Sequence, residues 1–130
     1  MPGELHPLYS YLAIHAETDK HVGGPGLDFP WQARYLAEMA AAAVGARGGP
    51  APPHACAIDM GFSPVSPLHL GPGVCDGIVE AARLGMAVQI LTNPVAGTTA
   101  PATVAAALAQ QDAEVLAGVV LAQAAERRAP

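Results

Sequence analysis

Three short polar stretches of the chain contain the side chains best suited to binding a small ligand. The first is Thr18-Asp19-Lys20-His21, where a carboxylate, an amine and an imidazole are adjacent and Lys20 is the only lysine of the sequence. Such a group can orient an anionic arm of a substrate or pass protons. A solvated loop with ordinary surface charges is the alternative explanation. We nominate Lys20 and His21 as substrate-binding residues and assign no catalytic residue.

The second stretch follows an apolar run and is stiffened by Pro64 and Pro67, each of which fixes a backbone angle. Stiff loops at the mouth of a β/α fold often position ligands, which makes Ser66 a binding candidate. The serines lack the GxSxG context of a nucleophile elbow. Phe62 can offer an aromatic face to a quaternary ammonium ion. Alternatively, its ring packs beneath the loop.

The third stretch places Asn93 and Gly97-Thr98-Thr99 just before a long Ala-rich segment. Amide and hydroxyl groups at the start of a helix favour anions, because free N–H groups and the helix dipole point toward them. The alternative is that the threonines cap their own helix. We nominate Asn93, Thr98 and Thr99 as substrate-binding residues.

Other titratable side chains give weaker signals. His54 and Cys56 form half of a metal site, but no second pair lies at zinc spacing, so we expect no bound metal. His15 is interpreted as a core histidine within a buried strand. Glu114 lies between apolar neighbours, and we expect it to face a neighbouring helix or a partner, or to form a helical ion pair.

Three strand–loop–helix units are predicted to position these side chains, at approximately 11–47, 55–85 and 86–126. The first has a strand at 11–17 and a helix at 31–46 with Trp31, Tyr35 and Met39 on one face. The second has a strand at 55–59 and a helix at about 74–84, with Val74, Ile78 and Ala82 on one stripe and Gly85 just after its end.

The third unit has a strand at 86–91 and a helix from about 102 to 126, with Thr99 or Thr103 as its cap. A helix of ~25 residues would be roughly 37 Å long, which suggests a kink, with Gly118 as one candidate.

Strands that alternate with helices predict an α/β fold with a parallel sheet. A complete (β/α)₈ barrel needs about 250 residues, whereas this chain has 130. We therefore expect residues 1–130 to form a single, incomplete TIM-barrel-like segment of about three units, a fragment of a longer enzyme. A small open three-layer fold is the alternative.

Composition restricts the class of protein. The chain is 52% hydrophobic and 13% charged, which is typical of a folded domain, and its net charge of −5 argues against a nucleic-acid surface. Two isolated cysteines suit a reducing compartment. Polar residues in the middle of the apolar segment 104–125 argue against a membrane span. We expect a cytoplasmic protein.

Three pieces of the sequence resemble the corrinoid-dependent methyltransferases of tertiary and quaternary amines. The loop at residues 18–22 is similar to the T-x-K-H loop of that family, and the prolines of residues 63–68 match a second family loop. The most specific resemblance is at 96–103, followed by 112–118 and 121–123. The sequence departs from the family at Ala100 and Ala106, where glycine is usual, and at Ala102, where a larger aliphatic residue is favoured.

This resemblance implies transfer of a methyl group from trimethylamine or glycine betaine to cobalt(I) of a corrinoid that a partner protein carries, with no cofactor bound directly. It also implies that Lys20 or the Gly97–Thr99 helix start holds the carboxylate of a betaine-like substrate. Two alternatives stay open. One is a fragment of another barrel lyase or decarboxylase, with His21 or Asp59 as acid or base. The other is a non-catalytic truncated product that forms an oligomer through its sheet edge.

Overall fold

The computed structural model describes residues 2–18, 20–21, 23–24, 26–46 and 58–130. After a 3-10 turn at Gly3–Leu5, its elements are helices and two short strands. In chain order they are α1 (His6–Glu17), α2 (Gln32–Ala46), β1 (Asp59–Phe62), α3 (Pro72–Arg83), β2 (Ala87–Ile90) and α4 (Val104–Ala125). The predictions made for Asp19, His54 and Cys56 lie outside the described residues.

The strand predicted at residues 11–17 is wrong, because this segment is the second half of α1. A short apolar run does not by itself distinguish a buried strand from a helix. Here Pro7 stands in the first turn, where its fixed φ favours a helix and its missing N–H costs nothing. Pro7 and Tyr11 are both buried, one helical turn apart. The chain therefore begins with a helix where a first β/α unit was expected.

From residue 58 onward the structure has a β–α–β arrangement followed by α4, and its parallel pairing agrees with the predicted parallel sheet. Strands β1 and β2 pair in parallel, from Asp59 opposite Ala87 to Phe62 opposite Ile90, and α3 connects them. The predicted strand at 55–59 overlaps β1 only at Asp59: residues 55–57 lie outside the described residues, and residues 60–62, predicted as loop, belong to the strand. The sheet of the described residues has two strands, so the fold is mixed α/β, and closure into part of a barrel stays a prediction.

One face of this sheet packs against α3 and α4. A Cβ atom on Gly77 would lie 2.5 Å from Phe62 Cε1, and one on Gly118 would lie 2.4 Å from Ile90 Cδ1, so both helices approach the strands closely through glycines. Successive side chains of a strand point to opposite faces. Asp59, Gly61 and Gln89 therefore lie on the other face, which we call the open face.

The buried side of α2 differs from the predicted one. Ala33, Leu36 and Ala40 are fully buried, whereas Trp31 and Tyr35 are 43% and 49% exposed. The buried set is spaced by three and four residues and the predicted set by four, so each is compatible with one face of a helix. The structure selects the stripe with two alanines, because small side chains let α2 pack closely against its neighbours.

A buried polar side chain fixes the start of α2. The Gln32 side-chain oxygen accepts hydrogen bonds from the N–H groups of Asp28 and Phe29, at 2.8 and 3.0 Å, and its amide donates to the Glu4 carbonyl at 2.6 Å. Gln32 thereby ties the entry to α2 to the N-terminal turn, which satisfies a fully buried polar group.

The last two helices end or begin near the predicted positions. Gly85 follows the end of α3 with a φ of 70°, the left-handed conformation expected there. Thr103 is the N-cap residue of α4, but its side chain makes no capping hydrogen bond. The helix is continuous through Gly118, whose role is close packing against β2. It is long and apolar enough to cross a membrane, yet its Glu114 is buried within the fold.

Candidate functional site

A cluster of polar side chains occupies the open face of the sheet. Asp59, 9% exposed, accepts a hydrogen bond through Oδ2 from the side-chain amide of Gln89. Its Oδ1 lies 3.3 Å from His21 Nε2, and the His21 side chain is 55% exposed. The parallel register explains the pairing, because Gly61 is opposite Gln89, which places Gln89 one pleat along from Asp59 on the same face.

Two glycines hold the His21 segment against β1. The Gly24 N–H donates to the Asp59 carbonyl at 2.7 Å. A Cβ atom on Gly24 would lie 2.5 Å from that carbonyl oxygen and 2.4 Å from Met60 Sδ, and one on Gly23 would lie 3.3 Å from Asp59 Oδ1. Only a residue without a side chain permits this approach of the two backbones. These glycines therefore allow the segment to approach Asp59 as closely as it does.

An open cleft adjoins this cluster at the carboxyl end of β1. It has a volume of about 410 Å³ and lies between residues 26–30 and the start of α3. Its lining includes Phe29, Phe62 and Ser63, and Gly61 connects it to the open face. Clefts at the carboxyl ends of parallel strands are the usual ligand sites of β/α folds. Phe62 also lines the cleft, but its side chain packs on Gly77 and the residue is buried, in agreement with the packing role considered for it.

Glu114 on α4 is a buried carboxylate that binds the loop after β1. Its carboxylate, 3% exposed, accepts hydrogen bonds from the Ser66 hydroxyl at 2.8 Å, the Leu68 N–H at 2.9 Å and the Gln110 amide at 3.0 Å. Burial opposes the charge, but these three donors outweigh it and hold the pKa of Glu114 below its usual value. Glu114 therefore contacts the loop after β1, as well as a neighbour one turn away on its own helix.

The loop after β2 is held mainly by its own backbone. The Val95 carbonyl accepts from the N–H groups of Thr98, Thr99 and Ala100 at 3.0 Å each, and Thr99 Oγ1 accepts from the Val95 N–H at 2.9 Å. Gly97 has a φ of 79°, which a glycine adopts without strain. The Gln110 amide also donates to the Thr99 carbonyl at 2.8 Å. The Thr99 hydroxyl thus stabilises its own loop.

The structure separates the predicted binding residues into groups. His21 lies in the Asp59 cluster, Phe62 borders the cleft, and Ser66 and Thr99 are connected through Glu114 and Gln110. Lys20, Asn93 and Thr98 have exposed side chains. A substrate-binding role for each of these seven residues stays a prediction. Within the described ranges, three or more His, Cys, Asp or Glu side chains do not gather where they could hold a metal ion.

Gln89 is the site residue that sequence reasoning missed. Asp59 was considered only as an acid or base of an alternative enzyme. The sequence contained a signal for Asp59 and Gln89, because each is a polar residue in an otherwise apolar strand. Side chains alternate along a strand, so the two can lie on the same face of the sheet. Their meeting depends on the register of the strands, which the sequence does not display.

Known proteins match nearly the whole chain. The sequence model of the family described as trimethylamine methyltransferase (MTTB) matches residues 5–130. The trimethylamine methyltransferase MttB of Desulfitobacterium hafniense is 30% identical over 135 residues, which cover 99% of this chain and 26% of that protein. MttB of Methanosarcina thermophila is 43% identical over 64 residues, or 49% of this chain and 13% of the relative. The chain thus spans about a quarter or less of these relatives' length.

Proposed function

This chain belongs to the trimethylamine methyltransferase family, and we propose that it forms one wall of a site where a methylated amine gives up a methyl group. The acceptor in this proposal is cobalt(I) of a corrinoid that a partner protein carries. The observation that carries the proposal is the buried Asp59 carboxylate on the open face of the sheet, next to an aromatic-lined cleft.

A buried carboxylate suits a positively charged substrate. A carboxylate that leaves water loses hydration, and it recovers that loss only through hydrogen bonds and opposite charges. Asp59 has the neutral amide of Gln89 on one oxygen and the largely exposed His21 imidazole beside the other. A methylated ammonium ion bound at this face would supply a compensating charge. The exposed ring of Phe29, which lines the neighbouring cleft, would attract the same ion through its π face.

Methyl transfer requires little of the protein beyond orientation of the substrate. The C–N bond breaks, its electron pair stays on nitrogen, and the methyl carbon accepts an electron pair from the nucleophile. Cobalt(I) of the corrinoid supplies that nucleophile. The contribution of this chain is to hold the ammonium group so that one methyl points out of the cleft, and to exclude water from it. Asp59 holds the charge, and the Phe29 ring limits the orientations of the methyl groups.

Trimethylamine and glycine betaine need different binding groups from this part of the site. Glycine betaine adds a carboxylate, for which we propose the exposed Lys20 as the counter-charge. The predicted helix start at Gly97–Thr99 suits this role less well, because α4 begins only at Val104 and the N–H groups of Gly97, Thr98 and Thr99 already donate within their own loop. We further propose a cytoplasmic location and an oligomeric assembly, from composition and from the resemblance.

A second candidate function rests on the His21–Asp59 pair. An imidazole within 3.3 Å of a buried carboxylate is an arrangement that accepts and returns protons. It would serve a lyase or decarboxylase that acts on a small substrate. Such an enzyme would lose activity in His21→Asn and would release product without any amine or corrinoid.

The test is methylation of free cobalt(I) corrinoid by the protein expressed in its natural reading frame, with trimethylamine or glycine betaine as donor. We expect Asp59→Asn to lower kcat/KM by about 100-fold, the size of effect for removal of a buried charge partner. Asp76→Asn, which neutralises an exposed carboxylate on α3, is the matched control and should retain wild-type rates. Equal rates for Asp59→Asn and the control would remove Asp59 from the site.

A further inference from the structure

Two neighbouring side chains of α4, the buried Glu114 and Gln110, together link the two loops that follow the strands. We call residues 63–71, after β1, the first loop and residues 91–103, after β2, the second loop. Glu114 accepts from Ser66 and Leu68 of the first loop, while Gln110, bonded to Glu114, also donates to the Thr99 carbonyl of the second loop. Both loops are therefore connected to the same turn of α4.

The first loop holds a backbone conformation that needs such support. Leu68 has a φ of 53°, in the left-handed region that a leucine rarely adopts. Its N–H is the group that donates to Glu114 at 2.9 Å. A conformation of this kind persists only where the surroundings fix it, and it is commonest near functional sites. The contact with Glu114 is thus placed at the most strained point of the loop.

Stability alone is a weak reason for a buried carboxylate at this position. Its burial costs free energy, and a well-packed apolar side chain of similar volume is often at least as stabilising. The charge provides something that an apolar side chain lacks, namely an acceptor for several donors at once. All three donors to Glu114 are uncharged, and all converge on its two oxygens. The carboxylate therefore specifies the positions of the groups around it.

We propose that Glu114 is a positioning residue that couples the first loop to the second and holds both in one arrangement at the carboxyl edge of the sheet. The inference deepens the proposed function, because these loops follow the two strands that carry the Asp59 cluster. Neutral glutamine at position 114 has one acceptor oxygen in place of two and brings two donor hydrogens. It cannot satisfy all three donors, so the two loops become independent.

The test is amide hydrogen exchange, monitored by NMR, in the protein as naturally encoded. In Glu114→Gln we expect exchange at Leu68 and His69 in the first loop, and at Thr98 and Thr99 in the second, to accelerate about tenfold or more. The amides of Ile78 and Ala82 in the buried helix α3 should keep their wild-type rates. Asp112→Asn, which removes an exposed carboxylate from the same helix, is the matched control and should change neither loop.

Two further variants separate coupling from a general loss of stability. Ser66→Ala removes a contact of the first loop only, and Gln110→Met removes the link to the second loop, so each should accelerate mainly its own loop. Acceleration of the α3 amides to the same extent as the loops would overturn the proposal, as would unchanged loops in Glu114→Gln. If that variant fails to fold, these two decide the question by the same criterion.

Kinetics give an independent readout. In the cobalt(I) assay, Glu114→Gln should raise the KM for the amine about tenfold, whereas the Asp112→Asn control should keep the wild-type KM. Absence of methyl transfer in the wild-type protein would count against the proposed function. The exchange pattern would still decide whether Glu114 couples the loops, so the two proposals fail separately.

Discussion

At the scale of single residues, two carboxylates that the sequence presents alike have different surroundings. Asp59 has a largely exposed imidazole on one oxygen, whereas Glu114 is enclosed by three neutral donors. The first arrangement leaves a charge that a cationic ligand can complete. The second is already satisfied within the chain and stabilises it. This difference is the reason that we propose Asp59 for ligand binding and Glu114 for positioning.

The lowered pKa of Glu114 makes a prediction about acid stability. A carboxyl group whose pKa is lower in the folded than in the unfolded chain stabilises the fold above its unfolded pKa, about 4.3. That contribution is lost as the pH falls through the lowered folded value. Wild-type protein should therefore lose more unfolding free energy between pH 7 and pH 3 than Glu114→Gln does, as measured by urea denaturation.

The same experiment has its control in Asp112→Asn. Asp112 is exposed two residues away on α4, so its neutralisation should leave the acid-induced loss close to that of the wild type. At pH 7 we expect Glu114→Gln itself to cost about 2 kcal/mol, because donors to a buried charge are left partly unsatisfied. Parallel stability–pH curves for wild type and Glu114→Gln would contradict the assignment.

At the scale of elements, glycines decide how closely the helices approach the sheet. Gly77 on α3 and Gly118 on α4 face Phe62 and Ile90 at distances that leave no space for a methyl group. The sequence shows these glycines only as interruptions of helical segments, where glycine normally lowers helix stability. The packing of the helices on the strands explains these glycines, because close packing offsets the loss of helix stability.

Replacement of glycine by alanine should therefore change the free energy of unfolding in opposite directions in α4 and in α2. Gly118→Ala should lower the free energy of unfolding by about 1–3 kcal/mol, because its Cβ would overlap Ile90 and push α4 from the sheet. Gly45→Ala in α2 has open space around the new methyl group and should raise it, by up to about 1 kcal/mol. Chemical denaturation of the two variants beside wild type measures both. Stabilisation by Gly118→Ala would show that α4 does not depend on this close contact.

The helices and strands also show where sequence patterns predicted the structure correctly and where they did not. The α3 stripe of Val74, Ile78 and Ala82 was predicted correctly, since a single amphipathic pattern was available there. In α2 two apolar stripes of helical spacing competed, and the predicted one was not the one that the structure buries most fully. In residues 11–17 an apolar run was compatible with both secondary structures. Local patterns therefore succeeded where one solution existed and failed where packing had to choose.

At the scale of the whole molecule, α4 presents an apolar side away from the core. Leu108, Leu116, Val119 and Val120 are 57%, 52%, 43% and 64% exposed. They lie opposite the buried Glu114, Gly118 and Ala122. An exposed apolar face of this kind favours contact with another protein surface, which is consistent with the proposed oligomer.

We therefore expect the apparent mass of the 130-residue chain to rise with concentration in sedimentation experiments. Val120→Lys should weaken this association about tenfold, because burial of one valine contributes about 1.5 kcal/mol. Gln111→Lys places the same charge at an exposed polar position of α4 and should associate as the wild type does. A monomer at every concentration, or equal association of the two variants, would exclude this face as the contact.

The sequence by itself determined the family, the parallel β–α–β arrangement and the limits of α3, β2 and α4. These features depend on local patterns and on motif order, which residues in succession display directly. Only the tertiary structure decided that residues 11–17 are helical and that Trp31 and Tyr35 face outward. It also decided that Asp59 meets Gln89 and His21, and that Glu114 and Gln110 together join two loops. Each of these depends on strand register or on competition among packing faces, and both are properties of residues far apart in the chain.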